Sequence, residues 1–417
     1  MLKQCEGSHA VAATVALCRP EVICAYPISP QTHIVEGLSA MVRDGTLTNC
    51  EFINVESEFA AMSVAIGSSA AGARSYTATA SQGLLYMAEA VWNASGLGLP
   101  IVMTLANRAI GAPINIWNDH TDAMSMRDAG WIQLFAENNQ DALDLHIQAF
   151  RLAEEVSLPI MVCMDGFILT HAYEGVDIPT QDQVDAYLPP YEPRQVLDPS
   201  DPVSIGAMVG PEAFAEVRYL AHAKQMLAKE LIPQLAEEFA RQFGRASGGL
   251  IHGYRIEDAD TVVVALGSVL GTIKDTIDDM REDGIRIGVL GITAYRPFPI
   301  TEIRDALSHV RRVVVVEKCF AVGIGGIVSR DVRMALRNRP QPVYTVVAGL
   351  GGRAITKHSL HRLLLDAGLD TLEPLTFLDL DWTAVNKELE RQRMTRRSGP
   401  IAENLLRDLG VVAARVG

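Results

Sequence analysis

Short β-branched runs and amphipathic stretches alternate along most of this chain. The spacing predicts a helix over 8–18, a strand over 21–27, a helix over 31–43 and a strand over 51–55. A helix over 58–71, a strand over 74–79, a helix over 82–95 and a strand over 100–106 follow, then a helix over 139–154 and a strand over 158–163. Such alternation builds a parallel sheet covered by helices on both faces. The text "LPPYEPRQVLDPSDP" within 180–205 is rich in proline and acids and reads as an extended connector. One long amphipathic helix is expected over 211–243. A second alternating block has strands over 261–266, 286–292, 312–317 and 342–348, with helices over 272–282, 300–308 and 326–337. The expected fold class is α/β, with two parallel-sheet domains. The charged tail after about 377, "NKELERQRMTRR", is expected to be helical and to lie against a partner.

Composition narrows the classes. The 417 residues are 48% hydrophobic and 21% charged, enough for two or three packed domains. A formal net charge of -14 argues against binding a nucleic-acid backbone, which needs clustered Lys and Arg. Cysteines 5, 18, 24, 50, 163 and 319 form no C-x-x-C pair and no zinc spacing with histidine. They are expected to be reduced, and iron–sulfur ligation by this chain is not expected. The N-terminus lacks the basic and apolar regions of a signal peptide, and no run of eighteen apolar residues occurs. A cytoplasmic location with no membrane partner is expected.

In a parallel sheet, ligands gather beyond the carboxyl ends of the strands. Four such ends carry polar residues. The first is "AYPISPQT", where two prolines hold Ile28 and Ser29 extended ahead of a helix starting near Thr32. The second is "NVESEFAAM", with Glu56 and Glu58; the third is "TATASQGL", with Ser81 and Gln82. The fourth is "ANRAIGAPINIWNDHTD", with Asn107, Arg108, Asn115, Asp119, His120 and Asp122. A carboxylate, a guanidinium and a hydroxyl on one rim make a small-molecule site. Plainer readings stand beside these. Ser57 and Glu58 suit a helix N-cap and first turn, and Arg108 suits a structural ion pair. The run 119–122 suits a loop held by carboxylate–backbone bonds better than a metal site. The glycine turns "GIGG" (323–326) and "GLGG" (349–352) suit either a phosphate contact or tight packing.

These stretches together resemble one family. "AYPISPQT", "FINVESEFAAMSVAIGSSAAGAR", "TATASQGL", "NRAIGAPINIWNDHTD", "GWIQLFAENNQ", "DGFILTH", "RPFP" and "GLGGRAIT" look like the α subunit of 2-oxoacid:ferredoxin oxidoreductases, the pyruvate and phenylglyoxylate enzymes among them. The resemblance implies oxidative decarboxylation of a 2-oxoacid with coenzyme A, using thiamine diphosphate, with electrons passing through iron–sulfur clusters to ferredoxin or another acceptor. It divides the chain into a pyrimidine-binding domain (1–180), a connector with the long helix (181–255), a transketolase C-terminal-like domain (256–376) and a partner-contacting tail (377–417). No G-D-G motif for the diphosphate occurs. Magnesium and the clusters are therefore expected on other subunits: a β subunit with the diphosphate site, and γ and ferredoxin-like δ subunits.

The resemblance also assigns roles. Glu58 matches the carboxylate that bonds the aminopyrimidine ring nitrogen, with Ser81 and Gln82 beside the cofactor. Arg108 matches the group that grips the substrate carboxylate, and Ser29 a substrate-bonding threonine. No residue is assigned to a metal. Pyruvate members usually read "PITP", "ALSAP" and "IWGDH" where this chain has Ser29, Gly111 and Asn118. Two changes remove atoms, so pyruvate and a bulkier acid such as phenylglyoxylate both suit. Ala354 replaces an acid frequent in the family. The alternatives are another thiamine diphosphate enzyme (transketolase-like or a branched-chain 2-oxoacid dehydrogenase component), a non-catalytic assembly subunit, or a ligand-binding regulator.

Overall fold

The computed structural model describes residues 2–394 and 399–411, so part of the tail motif, 395–398, lies outside the described residues. The first strands are β1 (Leu2–Glu6), β2 (Val22–Ala25), β3 (Glu51–Asn54), β4 (Ser75–Thr79), β5 (Val102–Asn107), β6 (Ile132–Phe135), β7 (Ile160–Asp165) and β8 (Tyr173–Asp177). They continue as β9 (Ile251–Tyr254), β10 (Thr261–Ala265), β11 (Ile287–Ile292), β12 (Ala294–Arg296), β13 (Arg312–Glu317), β14 (Val343–Val347) and β15 (Leu375–Phe377). One seven-stranded sheet runs β12-β6-β7-β5-β4-β2-β3, and a six-stranded sheet runs β15-β14-β13-β10-β11-β9. Both are parallel except for an antiparallel edge strand each, β12 and β9. The parallel strands are buried along almost their whole length in the sheet centres, as "VMTLAN" and "TVVVA" require.

The α/β class and two sheets agree with expectation, and most elements lie within a few residues of it. Several features differ. β1 and β8 pair as a separate antiparallel ribbon. β6 was not anticipated as a strand, and β12 leaves the second block to cover the β6 edge of the first sheet. The helix expected over 82–95 is two helices, Ser81–Tyr86 and Ala88–Leu97, breaking at Met87. The connector is not wholly extended. It contains the helix Gln181–Tyr187, started by a capping box of Thr180 and Gln183.

The long helix Phe214–Phe243 buries Ala228, Ile232, Leu235 and Phe239, and packs on the helix Asn139–Val156. Its first turns leave Phe214, Tyr219 and Leu220 exposed. Among the described residues, no helix is long and apolar enough to cross a membrane. All six cysteines are free.

Candidate active site

The carboxyl ends of β2, β3, β4 and β5 form the rim. After β2 the turn holds Ser29 through Gln31, which is fully buried. Its amide donates to the carbonyls of Tyr26 (2.9 Å) and Ala78 (3.0 Å), clamping the turn to β4. Pro30 is buried and Ser29 is exposed, its hydroxyl without a partner among the described residues. The helix Thr32–Arg43 begins directly afterwards.

After β3, Ser57 is the N-cap of the helix Glu58–Ala70, its hydroxyl accepting from Ala60 N at 3.2 Å. The plain capping reading therefore holds for Ser57. Glu58 is the first helical residue and is only 7% exposed, yet no described residue hydrogen-bonds its carboxylate. A Cβ at Gly83 would lie 2.8 Å from Glu58 Oε1 and 2.5 Å from Thr79 Oγ1. Only glycine lets the third strand end approach that carboxylate so closely. Glu56 faces solvent.

After β4, Ser81 sits at φ 48° with its side chain buried. Its amide donates to Asp122 Oδ2 (3.0 Å) and its hydroxyl to Ala109 O (2.5 Å), with Gln82 Oε1 also within reach. Asp122 also accepts from Asn107 Nδ2 (2.9 Å), Arg108 N (2.9 Å) and Ala123 N (2.8 Å). Burial pushes its carboxyl up to about 7, against those hydrogen bonds. Asp122 thus fastens the β4 and β5 ends together. This is the carboxylate-held loop the sequence suggested, now with a positioning purpose.

Arg108 is 9% exposed. Its Nη1 donates to Ser29 O (2.8 Å) and its Nε to Asn115 O (3.1 Å). Desolvation draws the guanidinium below its usual range, and Asp122 opposes that. So Arg108 makes no ion pair among the described residues; it bridges two segments of the rim. Nη2 has no partner among the described residues, so one end of the fork stays free. A Cβ at Gly111 would lie 2.6 Å from Gln82 Nε2. Gln82 therefore fills the space that the missing side chain vacates. Asn118 is 2% exposed, and its Nδ2 finds no partner among the described residues.

The remaining residues dock the domains. Asn115 Nδ2 donates to Gly351 O (3.1 Å), and Gly351 N donates to Asp119 Oδ2 (3.1 Å). The "GLGG" turn is therefore a domain contact. In "GIGG", a Cβ at Gly326 would strike Glu317, whose buried carboxylate accepts from the amides of Ile327, Val328 and Ser329. Tight packing explains that turn, with the helix N-terminus already occupied by an anion. His120 does not converge with its neighbours as a metal site. It bonds Asp165 across 2.7 Å, and Lys318 Nζ lies 3.1 Å from the same carboxylate. Ser268 N also donates to Asp165 (2.9 Å). Burial alone would raise the Asp165 pKa, but Lys318, His120 and Ser268 hold it well below the usual carboxylate range. Gln31 and Asp165 carry no local sequence signal, because each reaches partners distant in the chain.

The unpartnered, buried Glu58 carboxylate and the orphaned Thr79 Oγ1, both beside Gly83, fit a polar heteroaromatic ring ligand. Two docked parallel-sheet units of this kind define a transketolase-like architecture. A split-gene transketolase shares this fold, with a TM-score of 0.51 and 15% identity over 86% of this chain and 97% of that one. The 2-oxoglutarate:ferredoxin oxidoreductase of Magnetococcus marinus does so with a TM-score of 0.67 and 18% identity. That match covers 88% of this chain, which spans 65% of the other. Residues 13–237 match the family described as pyruvate flavodoxin/ferredoxin oxidoreductase, thiamine diphosphate-binding, and residues 259–360 match pyruvate:ferredoxin oxidoreductase core domain II. The pyruvate synthase subunit PorA of Methanosarcina barkeri is 49% identical over 86% of this chain and 90% of its own length. The ketoisovalerate oxidoreductase subunit VorA of Pyrococcus horikoshii is 38% identical over 87% and 93%. The chain belongs to the pyruvate flavodoxin/ferredoxin oxidoreductase family.

Proposed function

We propose that this chain is the α subunit of a pyruvate oxidoreductase that decarboxylates its substrate and acylates coenzyme A, and that it holds the aminopyrimidine half of the cofactor. The buried, unpartnered carboxylate of Glu58 carries this reading. Thiamine diphosphate, when bound, supplies the electron sink for decarboxylation. Glu58 is the residue that receives the pyrimidine, with Ser81 and Gln82 framing it. Arg108 offers its free guanidinium end to the substrate carboxylate, and Ser29 its hydroxyl to the same substrate. Gly111 and Asn118 line that side. Pyruvate is favoured over phenylglyoxylate because Gln82 takes up the space vacated at Gly111.

The same reading keeps 1–180 as the pyrimidine domain, 181–255 as the connector, 256–376 as the transketolase C-terminal-like domain and 377–417 as a partner-contacting tail. A β subunit supplies the diphosphate and magnesium site, and γ and δ subunits the clusters. Ile114 and Trp117 near the rim, Ile324 in the turn after β13 and the first turns of the long helix expose apolar surface to such partners. A cytoplasmic location suits this assembly. The complex reconstituted with those partners is expected to reduce a viologen dye with pyruvate and coenzyme A. Absence of pyruvate-dependent reduction in a cluster-loaded complex would overturn the reading. The isolated chain is expected to bind thiamine diphosphate and magnesium only weakly, since it lacks the diphosphate motif. Micromolar affinity by calorimetry would contradict the half-site.

Arg108→Lys is expected to lower kcat/KM for pyruvate about ten- to a hundredfold, given roughly 1.5–3 kcal/mol for a charged hydrogen bond. A lysine also loses the fork that joins Ser29 O to Asn115 O. Cofactor affinity should hardly move. Ser29→Thr adds a methyl at the exposed rim and should penalise phenylglyoxylate more than pyruvate. Steady-state rates with both acids decide this, and an unchanged ratio would remove Ser29 from substrate selection.

A further inference from the structure

Three segments bring unlike donors to one point. Glu6 is the N-cap of the helix Gly7–Leu17, His33 is the second residue of Thr32–Arg43, and His171 follows β7. One ligand atom from each lies within 4.8 Å of the others. Glu6 is 7% exposed, and its Oε1 is 2.6 Å from His33 Nδ1. His9 Nδ1 stands 3.9 Å from the other carboxylate oxygen, and its ring stacks on His33. His171 Nδ1 is bonded to Thr170 Oγ1 at 2.7 Å, which leaves Nε2 for a ligand.

A buried acid needs one partner, and His33 alone would satisfy Glu6. Three imidazoles around one carboxylate exceed that need. Two histidines and a carboxylate are a donor set that zinc-type cations take, and a histidine whose second nitrogen is hydrogen-bonded is the usual form of such a ligand. We propose that Glu6, His33 and His171 bind one divalent cation of the zinc type, with the fourth position open to water. Tetrahedral donors stand roughly 3.3–3.5 Å apart, so closure takes side-chain movements of about 1 Å. The bound cation would staple the N-terminal helix, the helix that follows Ser29 and the loop after β7. Tilted ring contacts extend from it: His33 to His171 (4.8 Å), His171 to Phe167 (4.7 Å) and Phe167 to Trp117 (4.8 Å). The ladder ends in the loop that follows Arg108.

The test uses the tag-free full chain, stripped with chelator and titrated with cobalt(II). One cobalt per chain is expected, with the visible absorption of a four-coordinate site that zinc then bleaches. Zinc should raise the Tm of the parent by mass action. His33→Ala and Glu6→Gln should each weaken binding at least about tenfold, the smallest loss seen for partners one step further from a metal. Both should also abolish the Tm rise. The His33 side chain is 41% exposed, so its removal leaves the fold in place, as the metal-free Tm will read. No absorption band at millimolar cobalt, or binding by both variants equal to the parent, would overturn the proposal.

Discussion

Glu58→Gln is expected to reduce pyruvate decarboxylation by roughly 10²–10⁴-fold, the range attributed to one positioned proton-transfer group. The chain itself should stay folded. Glu58 has no hydrogen-bond partner among the described residues, so the amide breaks no bond within the subunit. What it loses is a charge at a helix N-terminus, worth about 0.3–1 kcal/mol. The helix is also held by the Ser57 cap, which the substitution leaves alone. A large loss of turnover beside a small change in Tm is therefore the signature of a role toward the cofactor. Retention of most activity by the glutamine variant would remove Glu58 from the chemistry. A large fall in Tm would mean that the carboxylate serves the fold instead.

Asp165→Asn should instead cost stability, about 3–5 kcal/mol, because it leaves the Lys318 ammonium buried without its counter-charge. Lys318 is only 3% exposed, and asparagine keeps one acceptor oxygen where Asp165 offers two, to His120 on one side and to Ser268 and Lys318 on the other. Replacing the lysine as well, in Asp165→Asn/Lys318→Met, should recover much of the loss, since a pair removed whole leaves no orphan charge. The pH dependence has a definite sign. The folded-state pKa of Asp165 is depressed, so its contribution is complete above the ordinary carboxylate pKa near 4. It is lost as pH falls below that value toward the folded pKa. The parent should show this acid limb in urea titrations, and the asparagine variant should lack its share of it. A single-variant loss below about 1 kcal/mol would show that the cluster is weakly coupled to folding.

The sequence and the structure agree best where pattern and burial coincide. β5, β7, β10 and β13 are buried on both faces, so their apolar runs announce them. β12 is three residues long and β1 pairs with residues more than 165 positions away, so neither has a periodic signature. The break at Met87 was hidden because both flanking helices are rich in apolar and small residues, and the pattern runs on through it. Strand-end logic placed Ser29, Glu58, Ser81 and Arg108 just past strands, and in the structure they follow β2, β3, β4 and β5. It missed that Arg108 is already bonded to two carbonyls. It also read Gly111 as empty space, where the backbone brings Gln82 into the gap. Side-chain direction decided both, and a one-dimensional pattern does not contain it.

β12 has a consequence for synthesis. Until Ala294–Arg296 arrives, β6 is a bare sheet edge, with main-chain donors and acceptors ready to pair with any extended chain. About 160 residues separate the two strands, and at translation rates of roughly 5–20 residues per second that edge stays open for about 8–30 s. The nascent polypeptide carries its own late-arriving protector, made by the second domain for the first. A gene split between the two units would yield an N-terminal product that is sticky along one side, however well its core had packed.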